Sequence, residues 1–200
     1  MEDKRDLNLK KVKKKSFWVG VLTGFLGLLI LIISGLFIAG LVYRSRMMSP
    51  TSGIIKEGKR KVLSQETLDW TFYDLEENKH NLNGFKGKVI FLNFWATWCG
   101  PCVKEMDSIQ KLYNRFKDDE EVEFILLSIE DKPTIDEFFK DKDYDFPVYR
   151  YEKKVPEQIK EKYIPNTYII NSEGKIVLHH RGMADWDSGK VRKLIEDSKK

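Results

Sequence analysis

The sequence predicts an α/β fold, a sheet with helices on both faces, behind a single N-terminal transmembrane helix. Three observations carry that expectation. Strand-like and helix-like apolar patterns alternate from Leu68 to Ile195, the order from which helix-covered sheets are built. An uncharged run of 28 residues, Ser16 to Tyr43, precedes them. Only two cysteines occur in 200 residues, so no disulfide framework replaces an apolar core.

With 42% hydrophobic content, 200 residues suffice for one ordinary domain plus appendages. The net charge of +4 sits entirely in residues 1–15, where Lys4, Arg5, Lys10, Lys11, Lys13, Lys14 and Lys15 oppose Glu2, Asp3 and Asp6. The remainder is balanced, which argues against nucleic acid as a partner. Residues 1–15 therefore read as a basic cytoplasmic tail and 16–43 as a transmembrane anchor. A helix needs about 20 apolar residues to span a bilayer, and Phe17, Trp18 and Tyr43 place aromatic rings at the two interfaces. The lysine-dense flank outweighs Arg44 and Arg46. The positive-inside rule then sets the N-terminus in the cytoplasm and the following domain on the extracytoplasmic side of the cytoplasmic membrane. A cleaved signal peptide is the rival reading, with an apolar region of about 7–15 residues and a small-x-small site. Here the run is longer, and the best small pair, Ala39-Gly40, has Phe37 where a small residue is needed.

Residues 44–65 mix Ser, Pro, Gly and Lys without apolar periodicity and read as a linker, leaving 66–200 as the domain. Leu68, Trp70, Phe72 and Leu75 predict a first strand, returned by His80, Asn81 and Leu82. Phe85 to Lys88 is a turn. Val89 to Trp95 is a nearly unbroken apolar run, as expected of a central strand covered on both faces. Cys102, Met106, Ile109, Tyr113 and Phe116 then recur at steps of four, three, four and three, the buried stripe of a helix. Val122 to Ile129 predicts a second buried strand. Pro133 opens a helix that turns Ile135, Phe138 and Phe139 inward. Phe146 to Tyr149 is a short extended piece and Val155 to Tyr163 a short helix. Thr167 to Ile170 and Lys175 to His180 form a hairpin about a turn at residues 171–174. Val191, Leu194 and Ile195 mark a closing helix.

Both cysteines fall in Trp98-Cys99-Gly100-Pro101-Cys102, where a strand feeds a helix. Cys-x-x-Cys at such a junction is a dithiol/disulfide redox motif. If Cys99 caps the helix, its sulfur faces the unpaired N–H groups of the first turn, and the helix dipole favours thiolate over thiol. Cysteines so placed reach pKa values of roughly 3.5–7.5 against about 8.5 when free. Cys99 is then the attacking thiol and Cys102, one turn along and pointing inward, resolves the mixed disulfide. Pro101 suits the first helical turn, where its missing N–H has no intrahelical partner. Trp98 is expected to shield one side of the sulfurs. A structural zinc site needs four ligands, and the chain supplies two thiols and three histidines. His179 and His180, consecutive on a strand, point to opposite faces. A peroxidatic cysteine wants a Thr three residues ahead, whereas Thr97 is two ahead. No metal is expected, and no cofactor beyond a redox-active Cys99–Cys102 disulfide.

The run Phe94-Trp95-Ala96 followed by Trp98-Cys99-Gly100-Pro101-Cys102 resembles the thioredoxin active site. A longer resemblance joins it to the TlpA/ResA-like membrane-anchored thiol–disulfide oxidoreductases: the hairpin-like Leu68 to Leu82, Phe85-Lys86-Gly87-Lys88, Asn93 to Cys99, and Tyr168 to Asn171 with Glu173-Gly174-Lys175. It covers about residues 66–198. The resemblance implies a thioredoxin fold, a central mixed sheet flanked by helices with an N-terminal β-hairpin extension. It also makes Pro165, in Ile164-Pro165-Asn166-Thr167, the cis proline beside the disulfide, with Ile164 shaping substrate contacts. Glu105, three residues after the second cysteine, matches an acidic position that affects the active-site thiols; a bland alternative is a solvated glutamate in the first turns of the helix.

Two departures stand out. Thioredoxin has a buried aspartate six residues before its first cysteine, and here that position is Asn93, which cannot titrate. Asp107 stands where the family often has proline. The candidate catalytic residues are thus Cys99, Cys102 and Glu105, with Trp98, Gly100, Pro101, Ile164 and Pro165 shaping the site. The partners implied by the resemblance are disulfide-containing client proteins, apocytochromes awaiting haem attachment among them, and a transmembrane thiol electron donor. The same chemistry run backwards is a disulfide oxidase or isomerase, and the rival of another class is a thioredoxin-like module that only binds a partner.

Overall fold

The computed structural model describes residues 24–43, 61–152, 154–160 and 162–199, and the chain divides into two units, Met1–Met47 and Met48–Lys200. The expected tail (1–15), the start of the anchor (16–23) and linker residues 44–60 lie outside the described residues. In the first unit, helix α1 (Gly24–Tyr43) has 20 residues, none charged and all exposed. At 1.5 Å per residue it is about 30 Å long, the thickness of a bilayer's hydrocarbon core. A helix apolar on every side yet buried on none needs an apolar solvent, which fits membrane anchoring.

The second unit runs α2 (Gln65–Leu68), β1 (Thr71–Asp74), β2 (Lys79–Asn81), a 3₁₀ turn (Leu82–Phe85), β3 (Val89–Trp95), α3 (Gly100–Phe116), β4 (Val122–Ser128), α4 (Lys132–Phe139), β5 (Val148–Arg150), β6 (Asn166–Ile170), β7 (Ile176–Arg181) and α5 (Gly189–Asp197). The strands form one sheet in the order β2-β1-β5-β4-β3-β6-β7. β4 runs parallel to β3 and β5, and the other pairs are antiparallel. The sheet is mixed, with the β1–β2 hairpin at one edge, as expected.

Side chains alternate across the central strands. Val89, Phe91 and Trp95 of β3 join Phe124 and Leu126 of β4 in a core with Met106, Ile109 and Leu112 of α3 and Val191 and Ile195 of α5. Ile90, Leu92 and Phe94 point the other way, into a second core with Trp70, Phe72, Leu82, Ile125, Leu127 and Ile159. Long helices cover the first face. The second is covered by the one-turn α2, the 3₁₀ turn and an irregular segment around Ile159, so helices on both faces holds only in this reduced sense.

Three local expectations change. The strand expected through Leu68 begins only at Thr71, because Ser64 caps a helical turn by accepting the Thr67 N–H through its side chain. It ends at Asp74, whose carboxylate accepts the Glu76 and Asn78 N–H groups and turns the chain before Leu75 can extend it. In place of the helix expected over Val155 to Tyr163, the described residues form only a turn at 157–159, closed by Ile159 N–H on Pro156 O at 3.0 Å. Gln158 spends its side chain on Val62 O and Ser64 N–H, tying this turn to the start of the domain. Folded structure also starts before Glu66. Leu63 is buried, Leu63 N–H donates to Gly174 O, and Ile176 N–H donates to Lys61 O.

Candidate active site

Strand β3 delivers the motif to one end of the sheet. The chain leaves Trp95, turns with Cys99 N–H donating to Ala96 O at 3.1 Å, and enters α3. Cys99 is the N-cap, and its Sγ accepts the Cys102 N–H at 3.3 Å. The dipole of a 17-residue helix therefore ends on that sulfur. The two cysteines are joined by a disulfide across a Cα–Cα distance of 5.2 Å. Cys102 is 1% exposed and Cys99 5%, so Cys102 does point inward. Gly100 and Pro101 form the exposed first turn. Trp98, expected to shield the sulfurs, is 72% exposed and borders an open groove with Thr97, Pro133 and Phe138.

The Ile164–Pro165 peptide is cis. Asn166, the first residue of β6, pairs with Phe94, so Ile164 and Pro165 lie at the sheet end from which the cysteine loop departs. Pro165 is buried and its carbonyl accepts the Gly182 N–H at 2.8 Å. Ile164 is half-buried against both cores.

A polar row interrupts the α3-facing side of the sheet. Asn93 pairs with Thr167 across β3 and β6, and Thr167 with His180 across β6 and β7. Alternation puts Asn93 on the same face as Phe91 and Trp95, and there it meets Glu105 from α3. The Asn93 amide donates to Glu105 Oε1 at 3.0 Å and to Thr167 Oγ1 at 2.8 Å. Glu105 Oε2 accepts the Ala184 N–H at 3.1 Å and the Trp186 indole N–H at 2.9 Å. Glu105 is 1% exposed, so the solvated alternative is excluded. Burial, against the pull of the Trp186, Ala184 and Asn93 donors, raises its carboxyl from 4.5 to about 7. Burial also holds His180 below its usual 6.5.

On the other side of the loop, Glu130 follows β4. Its carboxylate accepts the Thr97 N–H at 2.7 Å, the Thr97 hydroxyl at 2.6 Å and the Ser128 hydroxyl at 3.1 Å. This ties the residue two before Cys99 to the end of the neighbouring strand.

The structure thus gathers Cys99, Cys102 and Glu105 on one helix, with Asn93 behind them and Ile164–Pro165 at the same sheet end. Sequence reasoning missed Trp186, Glu130 and the polar role of Thr167. The signals were faint: a large aromatic in an otherwise polar stretch before α5, and an acid directly after a buried strand.

Comparison with known proteins places the chain among thiol-disulfide oxidoreductases. The Redoxin family model matches residues 63–195. The thiol-disulfide oxidoreductase ResA of Bacillus cereus is 34% identical over 134 residues, 65% of this chain and 76% of that protein. Among solved structures, the thioredoxin domain of a thiol-disulfide oxidoreductase from Bacteroides vulgatus superposes with a TM-score of 0.56 at 25% identity, covering 68% of this chain and 99% of that one. StoA from Bacillus subtilis shares the fold, with a TM-score of 0.51 at 22% identity over 64% of this chain and 93% of its own.

Proposed function

Because the chain belongs to the Redoxin family and is a ResA-like thiol–disulfide oxidoreductase, we propose that it works as a membrane-anchored reductant of client disulfides on the extracytoplasmic side. One observation carries the assignment of roles: Cys99 caps α3 and its sulfur accepts a first-turn N–H, while Cys102 is buried behind it. Negative charge on sulfur is favoured at that position.

In the reduced enzyme the Cys99 thiolate attacks one sulfur of a client disulfide. The client S–S bond breaks, its other sulfur leaves as a thiolate and takes up a proton, and a mixed disulfide forms. Cys102 then loses its proton to the Glu105 carboxylate and attacks Cys99 Sγ. The mixed disulfide breaks, the client leaves with both sulfurs reduced, and Cys99–Cys102 is the oxidised product. Two electrons have passed to the client. A transmembrane thiol donor returns the pair to the dithiol, and the Glu105 proton is released. Ile164, half-buried at the sheet end from which the cysteine loop departs, offers its backbone to the client beside the attacking sulfur. Apocytochromes awaiting haem attachment are among the clients the resemblance implies.

The basic segment before α1 supports an N-terminus in the cytoplasm. Direction follows from potential: a midpoint near about −270 mV supports the reductant, one near about −120 mV an oxidant. The roles are tested by insulin reduction with the full chain in detergent. Cys99→Ser is expected to reduce turnover to the uncatalysed background. Retained turnover contradicts the assignment of Cys99 as nucleophile.

A further inference from the structure

We propose that Trp186 is a positioning residue of the redox site, its indole N–H holding the Glu105 carboxylate in place one helical turn beyond Cys102. The proposal rests on the proton-holding reading of Glu105 given above, and it assigns a role to the loop between β7 and α5.

That loop is laced to a single stripe of α3. Trp186 N–H donates to Ser108 Oγ at 3.1 Å, and the Ser108 hydroxyl lies 2.8 Å from Glu105 O and 3.3 Å from Ala184 O. Ala184 N–H and the Trp186 indole then close on Glu105 Oε2 at 3.1 and 2.9 Å. The indole is wholly buried and fixed edge-on by Phe91 of β3, 5.2 Å away, and His180 of β7, 5.6 Å away. A buried ring held by two edge contacts aims its N–H without the entropy loss of a long flexible donor.

Indole burial by itself does not demand this contact. Among the described residues, the buried Nε1 atoms of Trp70 and Trp95 have no hydrogen-bond partner, whereas that of Trp186 is spent on a carboxylate. The donors on Glu105 are an amide side chain, a backbone amide and an indole, all neutral. Its ionised form therefore depends on directed N–H groups rather than on a cation. The titratable neighbours are Cys102 on α3 and His180 behind the indole. β3 and β6 present the neutral Asn93 and Thr167.

Removing the indole N–H withdraws a donor that favours the anion, so Glu105 ionises at higher pH. If Glu105 accepts the Cys102 proton, the pH profile of client reduction moves with it. The test compares Trp186→Phe, which keeps a ring and loses the donor, with Glu105→Gln in the full chain in detergent. Insulin reduction is followed against pH, and the indole ¹H–¹⁵N resonances are followed over the same range. Trp186→Phe is expected to move the midpoint of the profile up by about one pH unit. In the wild type the Trp186 indole resonance is expected to titrate near pH 7, and in Glu105→Gln to retain only the lower step due to His180. An unmoved midpoint in Trp186→Phe, with the midpoint abolished in Glu105→Gln, overturns the proposal and leaves the reading of Glu105 standing. A profile unchanged in both variants overturns that reading and the proposal together. If Trp186→Phe does not fold, the wild-type resonance decides, and one insensitive to Glu105 overturns the proposal.

Discussion

Glu105 and Glu130 flank the same loop and each accepts three hydrogen bonds, yet their surroundings differ in kind. Glu130 is half-buried, and two of its three donors are the hydroxyls of Thr97 and Ser128. A hydroxyl can rotate and become an acceptor, so that cluster can re-pair if a proton arrives. Glu105 is sealed from water and faces only N–H donors. Of these, only the Asn93 amide can turn round, and its Oδ1 is buried without a partner. Turned, it offers that oxygen to a protonated Glu105 and to the Thr167 hydroxyl. The comparison teaches that an equal number of contacts gives unequal chemistry. Glu130 is a tether for the loop, whereas Glu105 sits where burial opposes charge and one neighbour can adapt to a proton.

The largest expected consequence separates the two by rate. Glu105→Gln removes the proton acceptor while leaving the nucleophile in place, and insulin reduction at pH 7 is expected to fall about 10- to 100-fold, the low end of general acid–base contributions. A rate within twofold of wild type breaks the distinction. The same variant has an opposite effect on stability. The folded-state carboxyl titrates at about 7 against 4.5 in its ordinary state. Its contribution is therefore complete below about pH 4.5 and is lost as pH rises through about 7. At 1.36 kcal/mol per unit, the loss amounts to about 3 kcal/mol. Chemical denaturation is thus expected to find Glu105→Gln more stable than wild type at pH 8.5, with the advantage shrinking towards pH 5. Gln fits the site, because its oxygen accepts from Ala184 and Trp186 while its amide donates to a turned Asn93.

A smaller effect sharpens the other half of the comparison. Glu130→Ala strands the Thr97 N–H and is expected to cost about 1–2 kcal/mol of stability. Turnover stays within about threefold of wild type, and the midpoint of the pH profile does not move. A moved midpoint in Glu130→Ala, read from the same insulin assay, erases the contrast with Glu105.

Much of this was legible in the residues because the signals are local. The nearly unbroken apolar run of Val89 to Trp95, the four-three-four-three stripe of α3 and the spacing of Cys99, Cys102 and Glu105 each belong to a single element. The cis Ile164–Pro165 bond followed from the resemblance. What escaped was set by contacts far apart in sequence. Trp186 meets Glu105 across 81 residues and Glu130 meets Thr97 across 33. No periodicity encodes such pairs. Val155 to Tyr163 misled for a related reason: its apolar residues serve the core beneath Ile159, which is fully buried without a helix.

Within the folded chain Glu105 exchanges its proton near neutral pH, because burial opposes its charge. The most direct measurement is a pH titration of its side-chain carboxyl carbon by ¹³C NMR, assigned by difference against Glu105→Gln in the full chain in detergent. A midpoint at about 7 is expected. A midpoint in the ordinary glutamate range, about 4.3, contradicts it.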